Sequence, residues 1–134
     1  MELIIDANIL MSALISTQGS TFDLIFNNKI KLFAPEYLFE EIDKYKQVII
    51  EKSGLLESDL DLFISLVLLR IELIPKIELS KFLNRAELIS PDPNDSEYFA
   101  LALKLNCAIW SNDKKLKSQY CIKVYNTQEI ISLI

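Results

Sequence analysis

The length, composition and charge of this chain exclude several classes of protein. Its 134 residues are 51% hydrophobic, which suits one domain (residues 1–134) with its own core and argues against a disordered protein. The chain has no histidine, so Ser-His-Asp triads and His-ligated zinc are excluded. A net charge of −5 has the wrong sign for binding nucleic acid through overall charge, and it suits a protein that gathers acids to hold cations.

Nothing in the sequence predicts a membrane span or export. The longest apolar run, Leu62 to Leu69, is far too short to cross a bilayer, and the first residues form a predicted strand instead of a signal peptide. We therefore expect a cytoplasmic protein without a membrane partner. Cys107 and Cys121 both fall in predicted strands and are expected to be buried, reduced thiols. A disulfide between them would require neighbouring strands and a hyperthermophilic source.

The first part of the chain alternates short strands with helices. A strand at Leu3–Ile5 ends at Asp6, and a helix follows at once. Asp6 and Asn8 could be capping residues of that helix, and capping alone would explain them. A short helix over Thr21–Asn28 and a second strand over Lys31–Ala34 come next.

A long amphipathic helix, predicted from Glu36 to about Lys52, separates two neighbouring acids. Its buried face is defined by residues spaced by three and four, namely Leu38, Ile42, Tyr45 and Ile49. Glu41 lies at the margin of that face, whereas Glu40 lies on the opposite, solvated side. An acid held against the core needs an explanation, so Glu41 is a candidate site residue.

The next helix, from Ser58 or Asp59 to about Leu69, is apolar around more than half of its circumference. Its inward residues are expected to be Leu62, Phe63, Leu66 and Val67. Because a helix that is apolar on most sides is buried on most sides, we expect a symmetry-related copy to cover the remainder in a homodimer. Alternatively, neighbouring helices cover the whole segment. A strand at Ile71–Ile74 and a helix at Glu78–Ile89 follow.

The stretch from Ser90 to Asp113 carries a turn, a helix and a strand. Asp92 is a good N-cap with a proline at the first helical position, and Asp95 then lies at the edge of the buried helix face. The apolar run Cys107–Trp110 is typical of a strand buried on both faces of a parallel sheet. This strand leads directly into Ser111–Asp113.

The chain ends with a Lys-rich turn at 114–117, a strand over Cys121–Tyr125, and a helix over Gln128–Leu133 capped by Thr127. The alternation of strands and helices predicts an α/β fold, a three-layer α/β/α sandwich around a parallel sheet of about four or five strands. In such a sheet the carboxyl ends of strands and the neighbouring helix starts share one edge, where ligand sites lie.

Four acids are placed so that they can converge at this edge: Asp6, Glu41, Asp95 and Asp113. Four uncompensated carboxylates in one cleft would repel one another. One or two Mg²⁺ or Mn²⁺ ions would remove that repulsion, because these hard cations prefer oxygen ligands. Such a site lends itself to phosphoryl transfer, since the metal polarises the phosphate and acidifies a bound water.

At these residues the chain resembles the PIN domain family along essentially its whole length. The resemblance is carried by LIIDANIL, PEYLFEEI, DPNDSEYFALAL and AIWSND. PIN domains are metal-dependent ribonucleases with an α/β/α fold, and they include VapC-type toxins of toxin–antitoxin pairs and stand-alone archaeal proteins. The last two motifs are most similar to archaeal members. The resemblance implies an Mg²⁺- or Mn²⁺-dependent endoribonuclease with RNA as substrate, an antitoxin as a candidate partner, and pairing into a dimer.

The resemblance also assigns residues by position. The catalytic and metal-binding acids fall on Asp6, Glu41, Asp95 and Asp113, the acids that their placement also selects. The residues that would orient water, metal or ligand are Asn8, Asp92, Glu97, Ser111 and Asn112. Their position in the chain, and not the resemblance, selects three lysines just past Asp113 that could contact RNA phosphate or could form only a solvated turn: Lys114, Lys115 and Lys117.

Two other functions are compatible with the sequence. A catalytically silent PIN-like module would bind RNA or a protein without cutting it; the net charge favours this, and the complete set of acids argues against it. A haloacid-dehalogenase-type phosphatase also begins with a strand that ends in Asp, but usually has a second Asp two residues later, where this chain has Asn8. Tyr98 and Trp110 could stack on bases, although their positions favour core packing.

Overall fold

A five-stranded parallel sheet forms the centre of the computed structural model, which describes residues 1–134. The strands are β1 Glu2–Ile5, β2 Lys31–Pro35, β3 Ile71–Ile74, β4 Ala108–Trp110 and β5 Val124–Tyr125. Their order is β3-β2-β1-β4-β5, and every neighbouring pair is parallel. The strand order reverses between β1 and β4, and a crevice at such a switch point is where open α/β sheets bind ligands.

Helices cover both faces of the sheet. They are α1 Ala7–Ile15, α2 Ser20–Ile25, α3 Tyr37–Lys44, α4 Lys46–Ser53, α5 Glu57–Leu68, α6 Lys76–Leu79, α7 Leu83–Ile89, α8 Ser96–Leu105 and α9 Thr127–Leu133. Two 3-10 turns, η1 Pro93–Asp95 and η2 Lys114–Ser118, precede α8 and follow β4. The predicted three-layer α/β/α sandwich is confirmed. No helix is long and apolar enough to span a membrane.

The central strands β1 and β4 and the helix α8 are among the most deeply buried elements of the core. Leu3, Ile4 and Ile5 are fully buried, as is Trp110 on β4, which is what a strand covered by helices on both faces requires. Helix α8 buries the six residues from Ser96 to Ala102 apart from Glu97, so it is the central helix of its layer. Core packing of Trp110 is therefore confirmed, and its indole Nε1 donates a hydrogen bond to Thr127 Oγ1 at 3.0 Å.

The long helix predicted over 36–52 is two helices. The chain leaves helical geometry at Tyr45 (φ −100°, ψ 10°), and α4 begins at Lys46. Tyr45 is 38% exposed, so its predicted place in the core is wrong. The break redirects α4 against α1, where Ile49 is buried. The predicted helix over 78–89 is likewise divided, into α6 and α7.

The inward face predicted for the next helix is partly wrong. In α5 the buried residues are Leu60 and Val67, whereas Leu62 and Leu66 are 57% and 39% exposed. The helix packs on α1 and β3 through one face only. Its other apolar face lies on the surface of the chain.

Three smaller predictions near the end of the chain also change. Cys121 is exposed and lies outside the short strand β5, and Cys107 is half-buried just before β4; both are free thiols. Gln119 explains the shortened strand, because its side chain bonds the backbone of Ile122 and holds a loop there. The N-cap of α9 is Asn126, not Thr127, and it forms a capping box with Glu129.

Candidate active site

Asp6 is a buried carboxylate at the carboxyl end of β1. Its side chain is 5% exposed and makes no well-oriented capping hydrogen bond to α1. Instead, Asp6 Oδ2 accepts a hydrogen bond of 2.7 Å from Ser111 Oγ at the end of β4. Helix capping therefore does not account for this acid, which is oriented by a hydroxyl from the neighbouring strand.

Ser111 connects two of the predicted acids. While its hydroxyl donates to Asp6, the same oxygen accepts the backbone N–H of Asp113 at 3.1 Å. Asp113 Oδ1 in turn accepts the backbone N–H of Lys115 at 3.0 Å, which caps η2. The paired ends of β1 and β4 thus place Asp6 and Asp113 at one edge of the sheet.

Glu41 is held on the inner side of α3 by Tyr98 of α8. The Tyr98 hydroxyl donates a hydrogen bond of 2.6 Å to Glu41 Oε1, and the tyrosine itself is 2% exposed. Burial, followed by the nearby Glu41 charge, raises the pKa of Tyr98, so its hydroxyl stays a donor. Glu41 is half-buried and Glu40 is exposed, as the helical spacing predicts.

Tyr98 is the site residue that sequence reasoning missed. Its burial was expected, but its contact with Glu41 spans 57 positions of the chain and is not visible in a local pattern. Two signals point towards it in retrospect. Tyr98 lies three positions after Asp95, on the same side of the helix, and a buried tyrosine hydroxyl usually finds a hydrogen-bond partner.

The pKa of Asp95 is affected by all three of the other predicted acids. It is half-buried at the junction of η1 and α8, where Asp92 caps η1 through the N–H of Asn94 at 2.9 Å. Burial is the main cause that raises the pKa of Asp95 to about 7, and the charges of Asp6, Asp92, Glu41 and Asp113 raise it further. A carboxylate with four acidic neighbours lies in a strongly negative field.

The pKa values of Asp6 and Glu41 are raised for similar reasons. Burial is the largest cause for Asp6; the Ser111 hydroxyl and nearby backbone amides oppose it, and the charge of Asp113 adds to it. Burial also dominates for Glu41, with the Tyr98 hydroxyl opposing it and the charges of Asp6 and Glu97 adding to it. Asp6, Glu41 and Asp113 therefore lie near enough to Asp95 for their charges to raise its pKa.

None of these carboxylates forms an ion pair within the protein, and the one lysine whose charge acts on them, Lys44, only opposes the rise in the pKa of Glu41. The ion pairs of the chain lie elsewhere: Lys46 pairs with Glu57 and Asp61, and Lys117 pairs with Glu129. An all-oxygen, uncompensated set of donors fits a hard divalent cation in its chemistry. No three acidic or cysteine side chains lie close enough together to hold an ion jointly, so the acids do not form a closed coordination shell in this arrangement.

The predicted orienting residues fall at different places around the acids. Asn8 is exposed and lines a cavity of about 530 Å³ together with Glu41. Glu97 is half-buried and close enough to Glu41 to raise its pKa. Asn112 has a structural partner, because its Oδ1 accepts the backbone N–H and the hydroxyl of Thr127 at 2.9 and 3.2 Å.

The three lysines after Asp113 are not equivalent. Lys114 and Lys117 line a polar cavity of about 570 Å³ that also contains Ser111 and Asp113. The side chain of Lys115 is exposed and does not line this cavity.

A model of the PIN domain family matches residues 4–132, almost the whole chain. The match agrees with the sandwich fold and with the acidic edge at the ends of β1 and β4. The chain belongs to the PIN domain family. PIN domains are generally nucleases, which places the chain among the hydrolases at a coarse level, and PIN nucleases generally use divalent metals.

One solved structure similar to this chain is the crystal structure of VapBC2 from Rickettsia felis bound to a DNA fragment from their promoter. The two chains share 17% sequence identity and superpose with a TM-score of 0.61, covering 94% of this chain and 98% of the other. At that identity the likeness shows the fold alone. The comparison with curated proteins finds no match.

Proposed function

We propose that this protein is a divalent-metal-dependent endoribonuclease that hydrolyses phosphodiester bonds in RNA. The observation that carries the proposal is the set of carboxylates around the ends of β1 and β4. The charges of four acids, namely Asp6, Glu41, Asp92 and Asp113, all raise the pKa of Asp95, and none of the five forms an ion pair in the chain. A protein keeps such a set against its own repulsion when the site has a cation to bind.

Two neutral hydroxyls prepare the site for a cation. Ser111 holds Asp6 and Tyr98 holds Glu41, and each hydroxyl fixes one oxygen of its carboxylate without neutralising the charge. The second oxygens of Asp6 and Glu41, with Asp95 and Asp113, are then the groups that would bind Mg²⁺ or Mn²⁺. The bound metal would supply polarisation of the scissile phosphate and a water of lowered pKa.

The direct test is cleavage of a labelled single-stranded RNA with Mg²⁺, with Mn²⁺ and with EDTA. Asp6→Asn and Asp113→Asn should each reduce cleavage to background while the protein stays folded, because each removes a charged metal ligand. Glu40→Gln is the matched control, since Glu40 is exposed one residue from Glu41, and it should cleave like wild type. Cleavage retained in both asparagine variants would contradict the assignment.

The same assay separates the alternatives. A protein that hydrolyses p-nitrophenyl phosphate but not RNA would be a different phosphohydrolase. A protein that binds the RNA and never cuts it at any metal concentration would be a silent PIN-like module.

Two partners belong to this proposal. Structural similarity to a chain of the VapBC2 complex supports an antitoxin partner, and the test is whether the product of an adjacent gene co-purifies with this chain and blocks RNA cleavage. The exposed leucines of α5, Leu62 and Leu66, together with Leu69 at 84% exposure, support a homodimer through that helix.

A further inference from the structure

The polar cavity beside Asp113 differs from the rest of the surface around the acids. Its lining contains no hydrophobic residue, and it shares Ser111 and Asp113 with the acidic edge. The cavity on the other side, which contains Glu41, is lined in part by apolar side chains such as Met11 and Ile15. The site is therefore flanked by one fully polar space and one mixed space.

We infer that this polar cavity binds a backbone phosphate of the RNA strand next to the bond that is cut. We call it the phosphate groove, and its lining outside the acidic edge includes Ser20, Thr21, Asn112, Lys114, Asn126 and Gln128. The inference rests on the proposed ribonuclease function and adds the residues that position the substrate.

Two asparagines of the groove present hydrogen-bond donors because their amide oxygens are already used. Asn112 Oδ1 accepts from Thr127, and Asn126 Oδ1 accepts the N–H of Glu129 at 2.8 Å. Because a backbone N–H can only donate, it must face the oxygen of each asparagine side chain and not its nitrogen. The Nδ2 groups of both asparagines are therefore left as donors. The hydroxyls of Ser20 and Thr21 complete a lining that matches an anionic oxygen.

Only one cation of the groove is free. Lys117 is paired with Glu129, whereas Lys114 makes no ion pair and directly follows Asp113 in the chain. In a protein of net charge −5, a phosphate that approaches the acids needs a local positive charge. Lys114 supplies it at the rim of the site.

The groove also has no aromatic side chain. Base stacking is a main source of affinity in single-strand channels, so a groove without aromatic rings contacts the backbone instead of the bases. Binding there is therefore electrostatic and should depend on salt.

The test measures binding apart from cleavage. Fluorescein-labelled single-stranded RNA is titrated with Asp6→Asn protein in Mg²⁺, and fluorescence anisotropy is followed over a range of KCl concentrations. Adding Lys114→Gln should weaken binding and reduce the magnitude of the slope of log K against log salt by about 0.7, the value for one phosphate contact in a single strand. Lys115→Gln, which removes the same charge outside the groove, should change neither.

A second pair of variants tests the hydroxyl lining. Thr21→Val should weaken binding about fivefold with an unchanged salt slope, because it removes one uncharged hydrogen bond. Thr17→Val, outside the groove, is its control and should bind like the parent protein.

The outcomes for the groove and for the ribonuclease are separate. Equal effects of Lys114→Gln and Lys115→Gln would overturn the groove, even if wild type cleaves RNA. Loss of binding and of salt slope only in Lys114→Gln would support it, even if wild type proves unable to cleave RNA with any metal and the ribonuclease proposal fails.

Discussion

Replacing Asp95 by asparagine tests whether the acidic edge destabilises the folded chain when no metal is present. Burial, and then the charges of the surrounding acids, raise the pKa of Asp95 from 3.8 to about 7. Because the folded pKa lies above the unfolded one, the protonated carboxyl stabilises the fold fully below the unfolded pKa. That contribution decreases as pH rises and is lost once the pH passes about 7.

The magnitude follows from the part of this range that can be measured. The pKa of Asp95 is raised by about three pH units, and roughly two of these lie within the range from about pH 5 to about pH 8. For an unscreened group, two units correspond to a loss of about 3 kcal/mol in the free energy of unfolding. Asp95 is only half-buried, so solvent screening reduces the expected loss to about 1 kcal/mol. For a domain of this length, that loss lowers Tm by about 3–4 °C.

The assay is thermal unfolding followed by circular dichroism in EDTA at both pH values. Wild type should have the lower Tm at the higher pH, and Asp95→Asn should lose the part of that difference due to Asp95, while Asp6 and Glu41, whose pKa values are also raised, keep the rest. Mg²⁺ or Mn²⁺ at the higher pH should raise the Tm of wild type more than that of the variant. Glu40→Gln should follow wild type throughout. A wild type that is no less stable at the higher pH, or a variant that keeps the full difference, would refute the reasoning.

Three further predictions concern single contacts. Tyr98→Phe removes the hydroxyl that orients Glu41 and should raise the metal concentration needed for half-maximal RNA cleavage about tenfold; an unchanged metal titration would mean that the contact is only structural. Leu62→Gln should convert the proposed dimer into a monomer of 15.4 kDa in light scattering, and a wild type that already has that mass rejects the dimer. Arg70→Ala removes a guanidinium that donates hydrogen bonds to three carbonyls before β2, and it should lower the free energy of unfolding in urea by about 2–3 kcal/mol. Arg85→Ala, at an exposed site, should leave it unchanged. Equal stabilities of the two variants would show that the Arg70 hydrogen bonds contribute little.

The sequence predicted strand ends better than helix lengths. Strand β1 is a short apolar run that stops at Asp6, and β4 stops at the polar Ser111, so the polarity change itself locates each end. The apolar spacing through Tyr45 continues without Pro or Gly, and it therefore predicted one helix where there are two. Helical periodicity does not detect a change of direction that is set by packing on another element.

The exposed leucines of α5 and the exposed Cys121 show the same limit. Hydrophobicity predicts that a side chain prefers burial, but burial also requires that another element reaches it. For α5 only one face is covered within the chain, and β5 is only two residues long, so it does not extend to Cys121.

The sequence by itself determined the α/β order and which acids stand at strand ends or at the margin of a helix. These features depend on residues within a few positions of one another, so a local pattern is enough to find them. The tertiary structure alone decided that Ser111 orients Asp6 across 105 positions and that Tyr98 orients Glu41 across 57. It also decided that burial and neighbouring acids raise the pKa values of Asp6, Glu41 and Asp95, because burial and charge separation are properties of the packed chain.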